Sequence, residues 1–128
     1  VSGMDAGKIY NTWPLMGNSY FPDDNKIINL FEFSALSDAS LVQYLHRNIA
    51  YLIFILYITI AFTVYKNNIV ILFKPVLILG FVVFLQIFLG ILTLLSGAGI
   101  LISSLHQFSS ILLITASLYF LYRNKFSF

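Results

Sequence analysis

The sequence predicts an all-α fold, a polytopic bundle of membrane-spanning helices. Of its 128 residues, 59% are hydrophobic and only 9% are charged, whereas soluble domains carry about 25% charged residues. No Asp or Glu occurs from Ala39 to Phe128, and no charged residue occurs from Pro75 to Tyr122. The chain therefore divides into a polar N-terminal segment and a membrane part.

Residues 1–38, called here the N-terminal segment, are predicted to form an extramembrane loop. All five acidic residues of the chain lie in it, and glycines and prolines interrupt it too often for a long helix. A short amphipathic helix is expected around Lys26–Phe33. Ser37 or Asp38 is a plausible N-cap for the helix that follows.

The membrane part, residues 39–125, is predicted to contain helices at about 39–65, 69–95 and 100–122. Each apolar stretch is long enough to cross a hydrocarbon core of about 30 Å at about 1.5 Å per residue. Pro75 lies near the start of the second stretch, where it either kinks the helix or marks its first turn. Ser96–Gly99 reads as a tight turn.

The lysines and arginines of the membrane part predict its orientation. Lys66 and Lys74 flank the first connection, and Arg123 and Lys125 follow the third helix. Because positive residues favour the cytoplasmic side, both places are expected there, or in the matrix of a mitochondrion. The N-terminal segment and the 96–99 turn are then on the outer side.

Two histidines are the most informative residues of the membrane part. His46 and His106 each lie about two turns into the first and third helices, which run in the same direction, so their depths match. Ionisable side chains inside membranes usually face the bundle interior and have a function. Two such imidazoles can ligate one haem iron from opposite faces. The alternative is that each histidine only makes an interhelical hydrogen bond.

The neighbours of the histidines fit the lining of a cavity. Small or polar side chains follow at helical spacing on the same faces: Ala50, Ile53 and Tyr57 after His46, and Ser109, Ser110, Leu113 and Ser117 after His106. Arg47 either reaches to the membrane interface or pairs with a haem propionate. Gln43 and Gln107 are expected to be solvated, and Gln86 to bond between helices.

The composition excludes several classes of function. The chain has no cysteine, so thiolate metal sites, iron–sulfur clusters and covalent haem attachment are excluded within it. Its positive residues are scattered, which argues against nucleic-acid binding. No acidic residue is predicted in the membrane, which argues against a carboxylate proton relay. No nucleophile triad or phosphate loop is present, so any chemistry must come from a cofactor or from another part of the protein.

A run in the N-terminal segment resembles the haem A synthase family. Residues 3–16, GMDAGKIYNTWPLM, are similar to the loop that opens the second half of its members. Pro22-Asp23-Asp24, His46-Arg47 and Leu105-His106-Gln107 then follow in the family's order, and residues 85–94 resemble its intervening helix. The resemblance covers nearly the whole chain.

The resemblance implies an architecture and an activity. Members of the family have eight helices in two similar four-helix halves, and they oxidise a methyl group of haem O to a formyl group. The product, haem A, serves cytochrome c oxidase. The second half holds a haem b between two histidines, which correspond to His46 and His106. Arg47, from its place next to His46, is then the expected propionate contact.

By the same resemblance, this chain is expected to hold three of the four helices of the second half. The substrate haem and a functionally important Glu belong to the absent N-terminal half, so the chain alone is expected to be inactive. The first residue, Val1, also suggests a piece of a longer protein. Haem O, haem O synthase, an unidentified electron donor and membrane lipid are the expected partners, and the bacterial inner membrane is preferred to the mitochondrial one.

Two rival functions remain open at this point. A small b-type membrane cytochrome would use the same two histidines to carry electrons without modifying a haem. A membrane scaffold or transporter segment would use them only for packing, and it predicts a colourless protein.

Overall fold

Three long helices and an irregular N-terminal segment make up the structure, a computed structural model that describes residues 1–126. The helices are α1 (Ala39–Lys66), α2 (Phe73–Leu95) and α3 (Ile100–Lys125), and no β-strand occurs among the described residues. All three are long and apolar enough to cross a membrane. The predicted all-α membrane fold is therefore confirmed.

The ends of the helices follow from local sequence. The Asp38 carboxylate accepts a hydrogen bond of 2.9 Å from the backbone N–H of Leu41, so Asp38 is the N-cap of α1. A 3₁₀ turn, Val70–Leu72, precedes α2. Pro75 is the third residue of α2, where a missing N–H costs no intrahelical bond, so it belongs to the first turn. α3 continues to Lys125, beyond the predicted end at 122.

The second helix lies between the other two. α2 packs extensively against α3 and less against α1, while α1 and α3 make few direct contacts over the described residues. Leu79, Val82 and Val83 of α2 pack against Ala116 of α3 in one buried cluster. Most other large apolar side chains of the helices are exposed, as expected of surfaces that face lipid.

The N-terminal segment contains short 3₁₀ helices. One of them, Ile27–Phe31, lies within the range 26–33 where a short helix was expected, and a second, Phe33–Ser37, follows after Glu32, which is extended. Met16 and Pro22 are almost fully buried and give the segment a small interior. The segment is therefore ordered around its own core.

Asp24 fastens the N-terminal segment to the start of α1. Its carboxylate accepts hydrogen bonds from the Tyr10 hydroxyl (2.9 Å) and from the Ser40 hydroxyl (2.6 Å). Partial burial alone would raise the pKa of Asp24, but the hydrogen bonds from Ser40 and Tyr10 outweigh it and hold the pKa below its usual value. The ionised carboxylate is thus the form that the fold favours.

Candidate functional site

The imidazoles of His46 and His106 face each other across the gap between α1 and α3. Their ring centroids are 6.2 Å apart and their planes are inclined at 84°. The His46 side chain remains accessible, and His106 is half-buried. The Nδ1 atom of His106 is buried and has no hydrogen-bond partner among residues 1–126. The two rings that the sequence singled out therefore come together.

Two adjoining cavities, of about 130 and 450 Å³, open on the histidine pair. Both are lined by His46, Gln86 and His106, and both reach Gly7 in the N-terminal segment. Ala50 lines the first cavity and Ser110 lines the second, as the sequence predicted for both residues. Ile53, Tyr57, Leu113 and Ser117 instead line a separate groove deeper between α1 and α3. Only part of the predicted lining therefore surrounds the rings.

The α2 helix supports His106 from behind through a glycine. A Cβ atom built on Gly90 would lie 3.0 Å from Cε1 of the His106 ring, 3.5 Å from Nδ1 and 3.6 Å from Nε2. Contacts of 3.0 Å are tighter than carbon atoms tolerate without movement. The ring edge therefore occupies space that any other residue at position 90 would take.

One turn along α2, Gln86 makes the interhelical hydrogen bond expected of it. Its side-chain oxygen accepts a short hydrogen bond from the hydroxyl of Ser109, which is 2% exposed. Ser109 lies three residues after His106, and its hydroxyl is also 2.9 Å from the His106 carbonyl oxygen. The Gln86–Ser109 pair is thus the polar contact next to the histidine site.

Arg47 is bound to the N-terminal segment. Its Nη1 donates to the carbonyls of Thr12 (3.0 Å) and Leu15 (3.2 Å), and its Nη2 donates to that of Tyr10 (3.1 Å). Its Nε is buried without a partner among the described residues, and the side chain lines the first cavity. The guanidinium therefore holds the segment over His46, a role that the sequence analysis did not foresee.

Further side chains close the same end of the bundle. Gln43 is 2% exposed, and its Nε2 donates to the Tyr10 carbonyl at 3.0 Å, so the expectation that it is solvated was wrong. Asn11 donates at 2.9 Å to the Leu94 carbonyl in the last turn of α2, which also accepts the Gly97 N–H at 3.1 Å. Trp13 donates to the Tyr51 hydroxyl at 3.2 Å. The only sequence signal for this arrangement was the motif that contains Tyr10, Asn11 and Trp13.

The donor set limits what the site can hold. No group of three or more His, Asp or Glu side chains suited to a metal ion occurs among the described residues. A metal held here by two imidazoles needs its remaining ligands from a non-protein group. A porphyrin supplies four nitrogens in a plane and leaves two axial positions for histidines. The paired rings, the apolar cavity walls and the buried Arg47 Nε fit such a group.

The fold and site define a helical multi-pass membrane protein with a pair of facing imidazoles. The family model described as "cytochrome oxidase assembly protein" matches residues 1–118. The chain belongs to this haem A synthase family.

Three relatives named "Heme A synthase" illustrate the match. The protein of Pelagibacter ubique is 41% identical over 125 residues, covering 98% of this chain and 37% of the relative. That of Rickettsia prowazekii is 34% identical, with 98% and 38% covered. That of Wolbachia pipientis is 39% identical, with 94% and 33% covered. The chain thus spans about a third of the length of these relatives. No solved structure gives a significant match.

Proposed function

We propose that this chain is the C-terminal, cofactor-binding part of a haem A synthase, with His46 and His106 as the axial ligands of a haem b iron. One observation carries the proposal, the 6.2 Å between the two ring centroids. An iron bound on each face by an imidazole nitrogen, at roughly 2 Å per bond, puts the two ring centres about 6 Å apart. Edge-to-face ring pairs in direct contact also lie about 4.5–7 Å apart, and what favours a ligand over packing at this distance is the buried Nδ1 of His106, which has no hydrogen-bond partner among the described residues.

The surrounding residues have defined tasks in this proposal. Arg47 offers its unpartnered Nε–H to a haem propionate, while its two terminal nitrogens keep the N-terminal segment in place. Gly90 leaves the space in which the His106 ring lies. The apolar walls of the first cavity would shield a bound cofactor from water.

The chemistry of the cofactor decides which step this part serves. A haem held by both His46 and His106 would supply one-electron transfer rather than oxygen binding. Oxidation of the haem O methyl group to a formyl group therefore belongs to the complete protein. The other half of that protein would hold haem O, which haem O synthase would supply, and the oxidation would need an oxidant and an oxygen source from outside this chain. A separate electron donor would reduce the haem b iron. The bacterial inner membrane is the proposed location.

The ligand assignment is tested by His46→Ala and His106→Ala in the complete protein. Each variant is expected to lose the bis-histidine absorption of the reduced haem, whereas Tyr122→Ala, which removes an exposed ring at the far end of α3, keeps it. His46→Gly and His106→Gly are expected to regain the spectrum with added imidazole. An unchanged spectrum in both alanine variants would refute the assignment.

The enzymatic part of the proposal is tested separately by extracting haem from cells that express the complete gene with a source of haem O. Formation of haem A supports the synthase. A haem b protein that forms no haem A would instead be the b-type electron carrier. A colourless protein after haem supplementation would show that the histidines serve packing.

A further inference from the structure

The histidine site is built asymmetrically, because its two rings are held by different means. His46 lies next to Arg47, which ties the N-terminal segment over it. The buried Nδ1 of His106 has no hydrogen-bond partner among the described residues, and the polar group of α2 next to its ring belongs to the backbone of Gln86. The orientation of that ring must therefore come from the backbone of α3 and from what α3 packs against.

Three contacts between α2 and α3 follow one another along the helices from the site inward. Gly90 faces the His106 ring, and one turn deeper Gln86 accepts the hydrogen bond of Ser109. Further along the helices, Leu79 and Ala116 belong to one buried cluster. Of these three contacts, only the Gln86–Ser109 hydrogen bond is directional. The other two are packing contacts, and packing tolerates rotation of a helix about its axis better than a hydrogen bond does.

We propose that Gln86 is a positioning residue for His106: by holding Ser109 it fixes the rotation of α3, so that the His106 ring rests on Gly90 with its plane nearly perpendicular to that of His46. This inference rests on the proposed function, because its readout is the bound haem. Neither Gln86 nor Ser109 needs to contact the iron. Their effect is on the angle between two ligand planes, which is 84° in this structure.

That angle has a spectroscopic signature. Oxidised low-spin haem with nearly perpendicular axial imidazoles gives a strongly anisotropic electron paramagnetic resonance signal with a high largest g value. Parallel imidazole planes give a rhombic signal whose largest g value is lower. Loss of the Gln86–Ser109 bond frees α3 to rotate and should lower the largest g value without removing the haem.

The test uses Ser109→Ala and Gln86→Met in the complete, haem-loaded protein. Both are expected to lower the largest g value and shift the reduction potential of the haem that is bound, and Ser109→Ala, at a position that lines neither cavity, is expected to do so at an unchanged haem-to-protein ratio. The double variant is expected to shift no further than either single one, because both remove the same bond. Ser109→Thr, which keeps the hydroxyl, is expected to stay nearer to the unmodified protein than Ser109→Ala does.

Ser117→Ala is the matched control on the same helix. Its hydroxyl donates to the Leu113 carbonyl within α3 at 2.8 Å and does not line either cavity at the histidines. The inference is overturned if Ser109→Ala and Gln86→Met, carrying full haem, match Ser117→Ala in both g value and potential. If the unmodified protein itself lacks a low-spin haem signal, the proposed function fails instead, so the two failures are distinguishable.

Discussion

Replacing Arg47 by alanine should open the N-terminal segment away from the histidine pair. The substitution removes three hydrogen bonds of 3.0 to 3.2 Å from one guanidinium to backbone carbonyls. Bonds from a charged donor contribute about 1.5–3 kcal/mol each. Here the value is lower, because Thr12 and Leu15 are exposed, so their carbonyls can bind water, and the Tyr10 carbonyl keeps its bond from Gln43.

Allowing about 1 kcal/mol for each of the three bonds gives about 3 kcal/mol, which raises the open fraction of the segment roughly a hundredfold. Hydrogen exchange measured by mass spectrometry on peptides within residues 5–24 would report this opening. The Met16 amide is a suitable probe, because it donates to the Ser19 carbonyl at 2.7 Å in the closed segment. Exchange in the middle of α2 should not change.

Two further variants make this measurement decisive. Arg47→Lys keeps the charge but not the planar fork of donors, and it should fall between the alanine variant and the unmodified protein. Arg123→Ala removes an equal charge from the last turn of α3, far from the segment, and should leave its exchange unchanged. If Arg47→Ala exchanges as slowly as Arg123→Ala, the guanidinium does not hold the segment closed and the reasoning is refuted.

Three further predictions concern other parts of the fold. Gly80→Ala should lower the free energy of unfolding of the bundle by about 1–3 kcal/mol, because the added Cβ would overlap the Tyr57 ring and hydroxyl. Adding Tyr57→Ala should recover part of this loss. Acidification should loosen the N-terminal segment, because folding lowers the pKa of Asp24. The ionised carboxylate contributes its full stabilisation above the unfolded pKa of about 4, and this stabilisation is lost as the pH falls through the folded pKa. Limited proteolysis across about pH 5 to 2 measures this, and Asp24→Asn should weaken the dependence without removing it, because hydrogen bonds from the Ser19 hydroxyl and the Asn18 N–H also lower the pKa of Asp23 in the same segment. Asn11→Ala should speed exchange at the C-terminal end of α2, and equal rates would contradict the contact with Leu94.

The helices could be predicted because lipid imposes a simple constraint on sequence. A chain inside a bilayer must satisfy its backbone groups internally, so an uncharged run such as 75–122, interrupted only by a Ser-Gly turn, can hardly be anything but two helices. Polar helix ends follow a looser rule. Arg123 and Lys125 extend α3 past Tyr122 because a charged last turn outside the hydrocarbon stays helical at little cost.

The histidines could be selected from sequence because ionisable groups are rare and costly in lipid. Their separation and ring planes could not be predicted. Those depend on α2 lying between α1 and α3, and on Gly90, which in sequence is one small residue among several.

The covering of the site was also beyond sequence reasoning. Arg47 and Gln43 bind backbone carbonyls of an irregular segment, and carbonyls carry no sequence signature. The burial of Gln43 reverses what its place near the membrane surface suggested. The motif around Tyr10 identified the family without revealing that the side chain of Asn11 and the carbonyl of Tyr10 join the segment to two different helices.

The scarcity of contacts between α1 and α3 gives the proposed ligand pair a mechanical meaning. The two helices that carry His46 and His106 are joined chiefly through α2. A bond from each ring to one iron would connect α1 directly to α3 and brace them where they make few contacts of their own. Cofactor loading would then also be a maturation step, in which three inserted helices become one rigid body. Because such bracing couples binding to folding, loss of the cofactor would first appear as independent movement of α1, before any helix unwinds.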